Sequence, residues 1–313
     1  MRVCALAGGV GGAKLAAGLQ DVLEPGELTV VVNTADDFEL CGLRICPDLD
    51  TVMYTLAGIA NPQTGWGVEG ESFGALEMLA SYGEDTWFKL GDRDLATHVL
   101  RTARLRAGEK LTEITANLSA ALGVRSSVLP MCDEPVATVL DTPEGPLEFQ
   151  EYFVRRGQRD EVIGVGLHGI EGARPTEAVS MALAAADVVV LCPSNPVVSI
   201  GPILAVPGMQ DALAASRAPK VAVSPLIGGR ALKGPADRML ETLGYEVSAT
   251  GVARIYEALV DGMVVDGIDA GERAGIEALG MQVLTTDAVM RDAEDRARLA
   301  TEVLQFGAEL VVL

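Results

Sequence analysis

Aromatic residues make up only 4% of the chain, and histidine occurs twice in 313 residues. A core this poor in rings must pack through Ala, Val, Leu and Gly, which supply most of the 49% hydrophobic content. Long apolar runs are missing. Ala186–Cys192 is among the longest and still contains Asp187, far short of the ~20 residues that span a bilayer. The start of the sequence opens into a strand pattern, Arg2–Ala7, without the layout of a signal peptide, so a cytoplasmic location is expected. Paired cysteines are absent too: Cys4, Cys41, Cys46, Cys132 and Cys192 are scattered, and with only His98 and His168 beside them no zinc-type spacing exists. Buried free thiols are expected, and a soft-metal centre is excluded. Positive charge is scarce, with 24 Lys and Arg against 44 Asp and Glu and a net charge of −20. That self-repulsion excludes nucleic acid and anionic membrane as partners, and an anionic small ligand would need a local basic pocket.

What is present alternates between helix and strand periodicity. Arg2–Ala7 reads as a strand, Gly8–Gly12 as a turn, Ala13–Leu23 as a helix and Leu28–Asn33 as a strand buried on both faces. A polar stretch, Thr34–Asp48, leads to a helix over Leu49–Ala60 that Asp48 or Asp50 would cap. Beyond the Gly- and Pro-rich loop Asn61–Gly70, helices are expected over Ser72–Tyr82, Asp92–Ala107 and Leu111–Leu122. Antiparallel strands are expected near Val124–Leu129, Val136–Asp141 and Leu147–Val154. Parallel alternation resumes at Val162, with Thr176–Ala185 helical, Asp187–Cys192 and Lys220–Ser224 as strands, and further pairs to Phe306. The pattern predicts an α/β, Rossmann-like, doubly wound and mostly parallel sheet. Residues 1–60 and 160–313 would form the core, and 61–159 an inserted lobe of helices and a small antiparallel meander.

Four predicted strands end in loops dense in Gly, Ser, Asn, Asp or Pro, and in an open α/β sheet such ends converge on one crevice. The first loop, Ala7–Lys14 (AGGVGGAK), carries Gly8, Gly9, Gly11 and Gly12, which let the backbone approach a phosphate at a helix N-terminus. It is neither a P-loop nor a complete GxGxxG. Lys14 is unfavourable for the helix dipole there, which points it at a ligand. The second loop holds Asn33, Thr34, Asp36 and Asp37, with Asp48 and Asp50 close behind. Carboxylates beside a phosphate suit Mg²⁺, although helix capping and turn formation would use the same residues. The third offers Ser194, Asn195, Pro196, Ser199 and Gly201, and the fourth Ser224, Gly228, Gly229, Arg230 and Lys233. A further cluster, Lys89, Asp92, Arg93 and Asp94, follows Trp87 and Phe88 at a helix start, where Asp92 would also serve as a cap. His98, two turns on, reads as a packed core histidine.

Taken together, AGGVGGAK, VVNTADDFELCGLRICPDLDTVMYTL, GWG, WFKLGDRDLATHVLR, LPMCDEPVATVL, PSNPVVSIGPIL and SPLIGGRALKGPA resemble the 2-phospholactate transferase family of coenzyme F420 biosynthesis. The resemblance implies a transferase. It moves a phospholactyl or phosphoenolpyruvyl group from a guanosine diphosphate adduct to the ribityl hydroxyl of the deazaflavin Fo, releasing GMP with Mg²⁺ as cofactor. It implies Fo near Asp50 and the Lys89–Arg93 cluster, and guanosine diphosphate on the Gly-rich, SNP and SPLIGG loops. Asp36, Asp37, Asp48 and Asp50 are the candidate metal ligands, Asp50 or Asp92 the candidate base, and Arg93 a source of charge stabilisation. A homodimer is the base-rate assembly. Gluconeogenesis-factor-like proteins, which bind nucleotide sugars, resemble the AGGVGG and SNP loops and offer a rival reading as a non-catalytic regulator. A nicotinamide-dependent oxidoreductase would want an acidic residue where Asn33 ends the second strand.

Overall fold

Runs such as Val3–Ala7 and Val188–Leu191 are apolar at every position and must be covered on both faces. A computed structural model describes residues 1–310 and joins these two runs with five further strands in one sheet. Numbered in chain order, they are β1 (Val3–Ala7), β2 (Leu28–Val32), β3 (Ser127–Pro130), β4 (Val188–Leu191), β5 (Lys220–Val223), β6 (Gly262–Asp266) and β7 (Gln282–Thr286). Every pairing is parallel, and the spatial order is 3-2-1-4-5-6-7. The order reverses between β1 and β4, where an open α/β sheet forms its ligand crevice.

The two-residue alternation of β1 divides the core. Val3, Ala5 and Ala7 face a layer formed by α1 (Gly9–Val22), α2 (Pro47–Leu56) and the C-terminal helix Ala293–Leu310. Cys4 and Leu6 face the opposite layer, where Val179, Leu183, Ile200, Ile203 and Val252 pack. The connection from β2 to β3 carries α3 (Gly74–Ser81), α4 (Asp92–Arg106) and α5 (Leu111–Ala121), close to the ranges read from the sequence.

Two strands lie elsewhere than expected. Val124–Leu129, assigned to the meander, supplies β3 instead, paired with β2 from Thr29↔Ser127 to Val32↔Pro130. Parallel alternation does not resume at Val162, because Gly164–His168 pairs antiparallel with Ala137–Thr142, whose other edge takes Gly145–Glu148. Short apolar runs in this stretch carry no label for the sheet they join, so pairing alone decides it. Within Thr34–Asp48 the chain forms a hairpin, Phe38–Leu40 with Leu43–Ile45. Its two-residue turn, Cys41–Gly42, has φ of 49° and 71°, the conformation that matches the twist of the strands.

Candidate active site

At the β1/β4 switch point the chain leaves β1 directly into α1, so the expected glycine turn is the helix's own first turn. Gly8 is its N-cap and Gly9 takes φ +61°. The first turn carries no acidic residue, which leaves the helix N-terminus electropositive. Gly11 lies so close to the Pro193 carbonyl that no side chain fits between them. The Gly8 N–H donates to Ser194 Oγ at 3.0 Å, which ties the first loop to the third.

These loops open into a cavity of about 580 Å³ whose lining combines two unlike sets of residues. One set is Gly8, Gly9, Gly11, Lys14, Asp36, Asp48, Ser194, Asn195, Ser199 and Ser224. The other is Tyr54, Trp66, Trp87, Phe88, Phe149 and Phe153, with Asp50, Lys89, Asp94 and His98; Phe149 and Phe153 pack with Val198 of the third loop, and Trp87 and Phe88 with Phe38. The chain has only two Trp and six Phe; both tryptophans and three of the phenylalanines face this space. Phe149 and Phe153 stack with centroids 5.4 Å apart and planes 8° from parallel, and Trp87 meets Phe88 edge-on at 5.6 Å. Such walls receive a planar ring system.

Asp48 accepts from the Gly9 N–H at 2.8 Å and from Asn33 Nδ2 at 3.0 Å. It therefore sits where an anion on α1 would sit. Burial pushes Asp48 up to about 6, even though those two hydrogen bonds favour its charged form. Burial, and next the charge of Asp48, pushes Asp36 well above the usual carboxylate range. Asp36 Oδ1 is buried without a hydrogen-bond partner. Two buried carboxylates in this condition, one with an orphaned oxygen, fit a hard divalent cation that takes oxygen ligands. Asp37 turns away to Arg44, whose guanidinium is 3.3 Å from its Oδ2, and it does not line the cavity. The Lys14 ammonium donates to the Met290 carbonyl at 2.9 Å, and burial, then Lys233 and Arg296, lowers its pKa.

Neither Asp48 nor Asp50 caps α2. Cys46 is the N-cap and Pro47 opens the helix. Asp50 instead receives both terminal nitrogens of Arg101, with NH1 at 3.0 Å from Oδ2 and NH2 in close contact with Oδ1. Tyr54 donates to Asp94 Oδ1 at 2.8 Å, and His98 Nε2 lies 3.1 Å from the same oxygen. Asp50, Asp94 and His98 bring one potential ligand atom each within 4.8 Å of one another. That cluster is already partnered internally by Arg101, so Asp36 and Asp48 fit a cation better.

The structure gathers most of the expected residues but not all. Asp92 lies off the cavity, its carboxylate accepting from Ser72 Oγ at 2.6 Å, Gly74 N at 3.0 Å and Ala75 N at 2.9 Å, at the start of α3 rather than of its own helix. These bonds hold its pKa down. Arg93 donates to the Glu69 carbonyl at 2.9 Å and is also off the cavity. Asn33, Thr34, Gly12 and Pro196 stand behind the lining. Gly228, Gly229 and Arg230 lie off the lining in a hairpin whose Ile227 does face the cavity; Gly228 N donates to Asp269, and Leu232–Ala236 lines the cavity as well. His98 is buried as expected, yet it faces the cavity within an ionic cluster. Asp94 enters the sequence reading only as part of the Lys89–Asp94 cluster, and Tyr54 and Arg101 not at all. Their sequence signal is helical spacing: Asp50 and Tyr54 at i, i+4 on α2, and Asp94, His98 and Arg101 at i, i+4 and i+7 on α4.

Among similar proteins, the phosphoenolpyruvate transferase of Streptomyces griseus is 43% identical, with 99% of each chain covered. The 2-phospho-L-lactate transferase of Methanosarcina mazei is 39% identical over 95% of this chain and 98% of its own. A solved protein of the UPF0052 family from Bacillus halodurans shares the fold, with TM-score 0.64 and 19% identity over 97% of this chain and 98% of that one. The family described as 2-phospho-L-lactate transferase CofD matches residues 3–304. With that match over nearly the whole chain and the switch-point cavity in place, the chain belongs to the 2-phospho-L-lactate transferase CofD family.

Proposed function

We propose that the chain transfers a phospholactyl or phosphoenolpyruvyl group from a guanosine diphosphate adduct to the terminal ribityl hydroxyl of the deazaflavin Fo, in coenzyme F420 biosynthesis. The observation that carries this reading is the cavity's mixed lining. Phosphate-type loops at a helix N-terminus share one cavity with aromatic side chains and carboxylates. Relatives named for both acids are similar to the chain, so the donor is chosen by the test below.

The diphosphate lies against Gly8–Gly11, Lys14, Ser194 and Ser199, and the deazaflavin between the aromatic walls with Lys89 at its rim. The Fo hydroxyl oxygen bonds to the phosphorus that carries the acid. The bridging P–O bond to the guanosine phosphate breaks, GMP leaves with the electron pair, and the hydroxyl proton passes to a carboxylate of the Asp50–Asp94 pair. Asp36 and Asp48 would hold Mg²⁺, which supplies neutralisation of diphosphate oxygens when bound. Their own charge would otherwise repel the ligand from the α1 N-terminus. Positioning and charge compensation suffice for such a transfer, and no covalent nucleophile is required.

Four of the five cysteines are buried and all are free, which suits a reducing cytoplasm. Among the described residues no helix is long and apolar enough to cross a membrane. A homodimer would cover the exposed Phe73, Met78 and Tyr82 beside α3.

The test is turnover by purified protein with Mg²⁺, Fo and each adduct. GMP release that requires both Fo and metal is expected, and the faster adduct names the donor. Tight nucleotide binding with no Fo-dependent GMP release would overturn the transferase reading in favour of a nucleotide-binding regulator.

A further inference from the structure

Arg101 is the largest fully buried side chain among the described residues, about 1% exposed, and lies outside the cavity lining. Burying a guanidinium is costly, and an apolar residue of similar volume often serves stability as well or better, so packing alone does not account for it. Its contacts do. The planar fork meets both oxygens of Asp50, which fixes that carboxylate's rotation as a single-point contact would not. The same NH1 lies 3.2 Å from His98 Nδ1. A guanidinium can only donate, so Nδ1 accepts and the ring proton sits on Nε2. One side chain behind the wall thereby contacts two groups that face the cavity, Asp50 and His98.

We propose that Arg101 is a positioning residue that aligns Asp50 against the acceptor hydroxyl. The proposal rests on the transferase reading above. Arg101→Lys keeps the charge but loses the fork, so it separates alignment from charge balance. A misplacement of about 1 Å in such a group costs on the order of a hundredfold in rate.

The experiment uses the full chain and compares wild type with Arg101→Lys in GMP release at saturating Fo. It also measures KM for the guanosine diphosphate adduct, melting temperature, and Fo binding through fluorescence of Trp66 and Trp87, both of which line the cavity. The expected result is kcat lowered roughly a hundredfold with the adduct KM within about twofold and the fold retained. A kcat within about threefold of wild type would overturn the positioning role. Should Arg101→Lys fail to fold, Arg101→Gln keeps one amide donor towards Asp50 and loses the fork. A kcat lowered about tenfold or more at unchanged adduct KM then supports the alignment, and an unchanged kcat sinks it. Wild type that releases no GMP overturns the transferase reading first. In that case, Arg101→Lys leaving Fo quenching of Trp66 and Trp87 unaltered overturns the alignment as well, while weakened quenching supports it.

Discussion

The pairing of Asp36 with Asp48 makes stability depend on pH and on divalent cations in a calculable way. The folded-state pKa of Asp48 is raised from 3.8 to about 6, and at ~1.4 kcal/mol per unit the cost of its ionisation at neutral pH is about 3 kcal/mol. A raised pKa means the native state keeps a proton that the unfolded chain has released. Stability is therefore greatest below the unfolded value and falls as pH rises from about 4 through about 6. Asp37, pushed up to about 7 by burial, extends the decline in the same direction, and Asp36 adds to it. A cation bound between Asp36 and Asp48 offsets the loss at high pH only. At a hundredfold excess over its dissociation constant it contributes about 2.7 kcal/mol. With an unfolding entropy of ~2.1 cal/mol/K per residue over this length, that raises the melting temperature by roughly 4 °C. The assay is thermal unfolding at about pH 5 and about pH 7.5, with and without Mg²⁺, for wild type and Asp36→Asn. Wild type should respond to Mg²⁺ at the higher pH and little at the lower. Asp36→Asn should melt higher than metal-free wild type at the higher pH and lose the Mg²⁺ response. An Mg²⁺ response that persists in Asp36→Asn, or is equal at both pH values, would refute the assignment.

Other outcomes follow from single contacts. Gly11→Ala places a methyl against the Pro193 carbonyl and must part the two loops. Guanosine diphosphate affinity by calorimetry should fall about tenfold or more, since overpacking costs ~1–3 kcal/mol, and an unchanged Kd would disprove the close approach. Asp92→Ala removes three hydrogen bonds at the start of α3. The melting temperature should drop while kcat stays within about threefold; a hundredfold fall in kcat would return Asp92 to the chemistry. Cys41 is the one exposed cysteine of five, so a thiol reagent should label one site quickly in native protein and all five after unfolding. Rapid labelling of a second thiol would show the core to be more open than described.

Much of the fold was legible because parallel strands buried on both faces announce themselves as apolar runs, and the 3.6-residue pattern between them marks the helices. The four loops were legible for a related reason: Gly, Ser and Asn directly after a buried strand have little to do except meet a ligand or turn the chain. What the sequence could not carry was partnership across distance. Val128 and Leu129 read the same in a meander or at the edge of the main sheet, and only the register with Val30 and Val31 decided for the sheet. Asp92 and Asp94 are two residues apart in one charged segment, yet helix geometry turns the first to the start of α3 and the second to the cavity. Arg101 looked like one more charge on a polar helix. Its meaning lies in Asp50, fifty-one residues earlier, because the energy of a buried charge is set by what surrounds it, and only the folded chain supplies the surroundings.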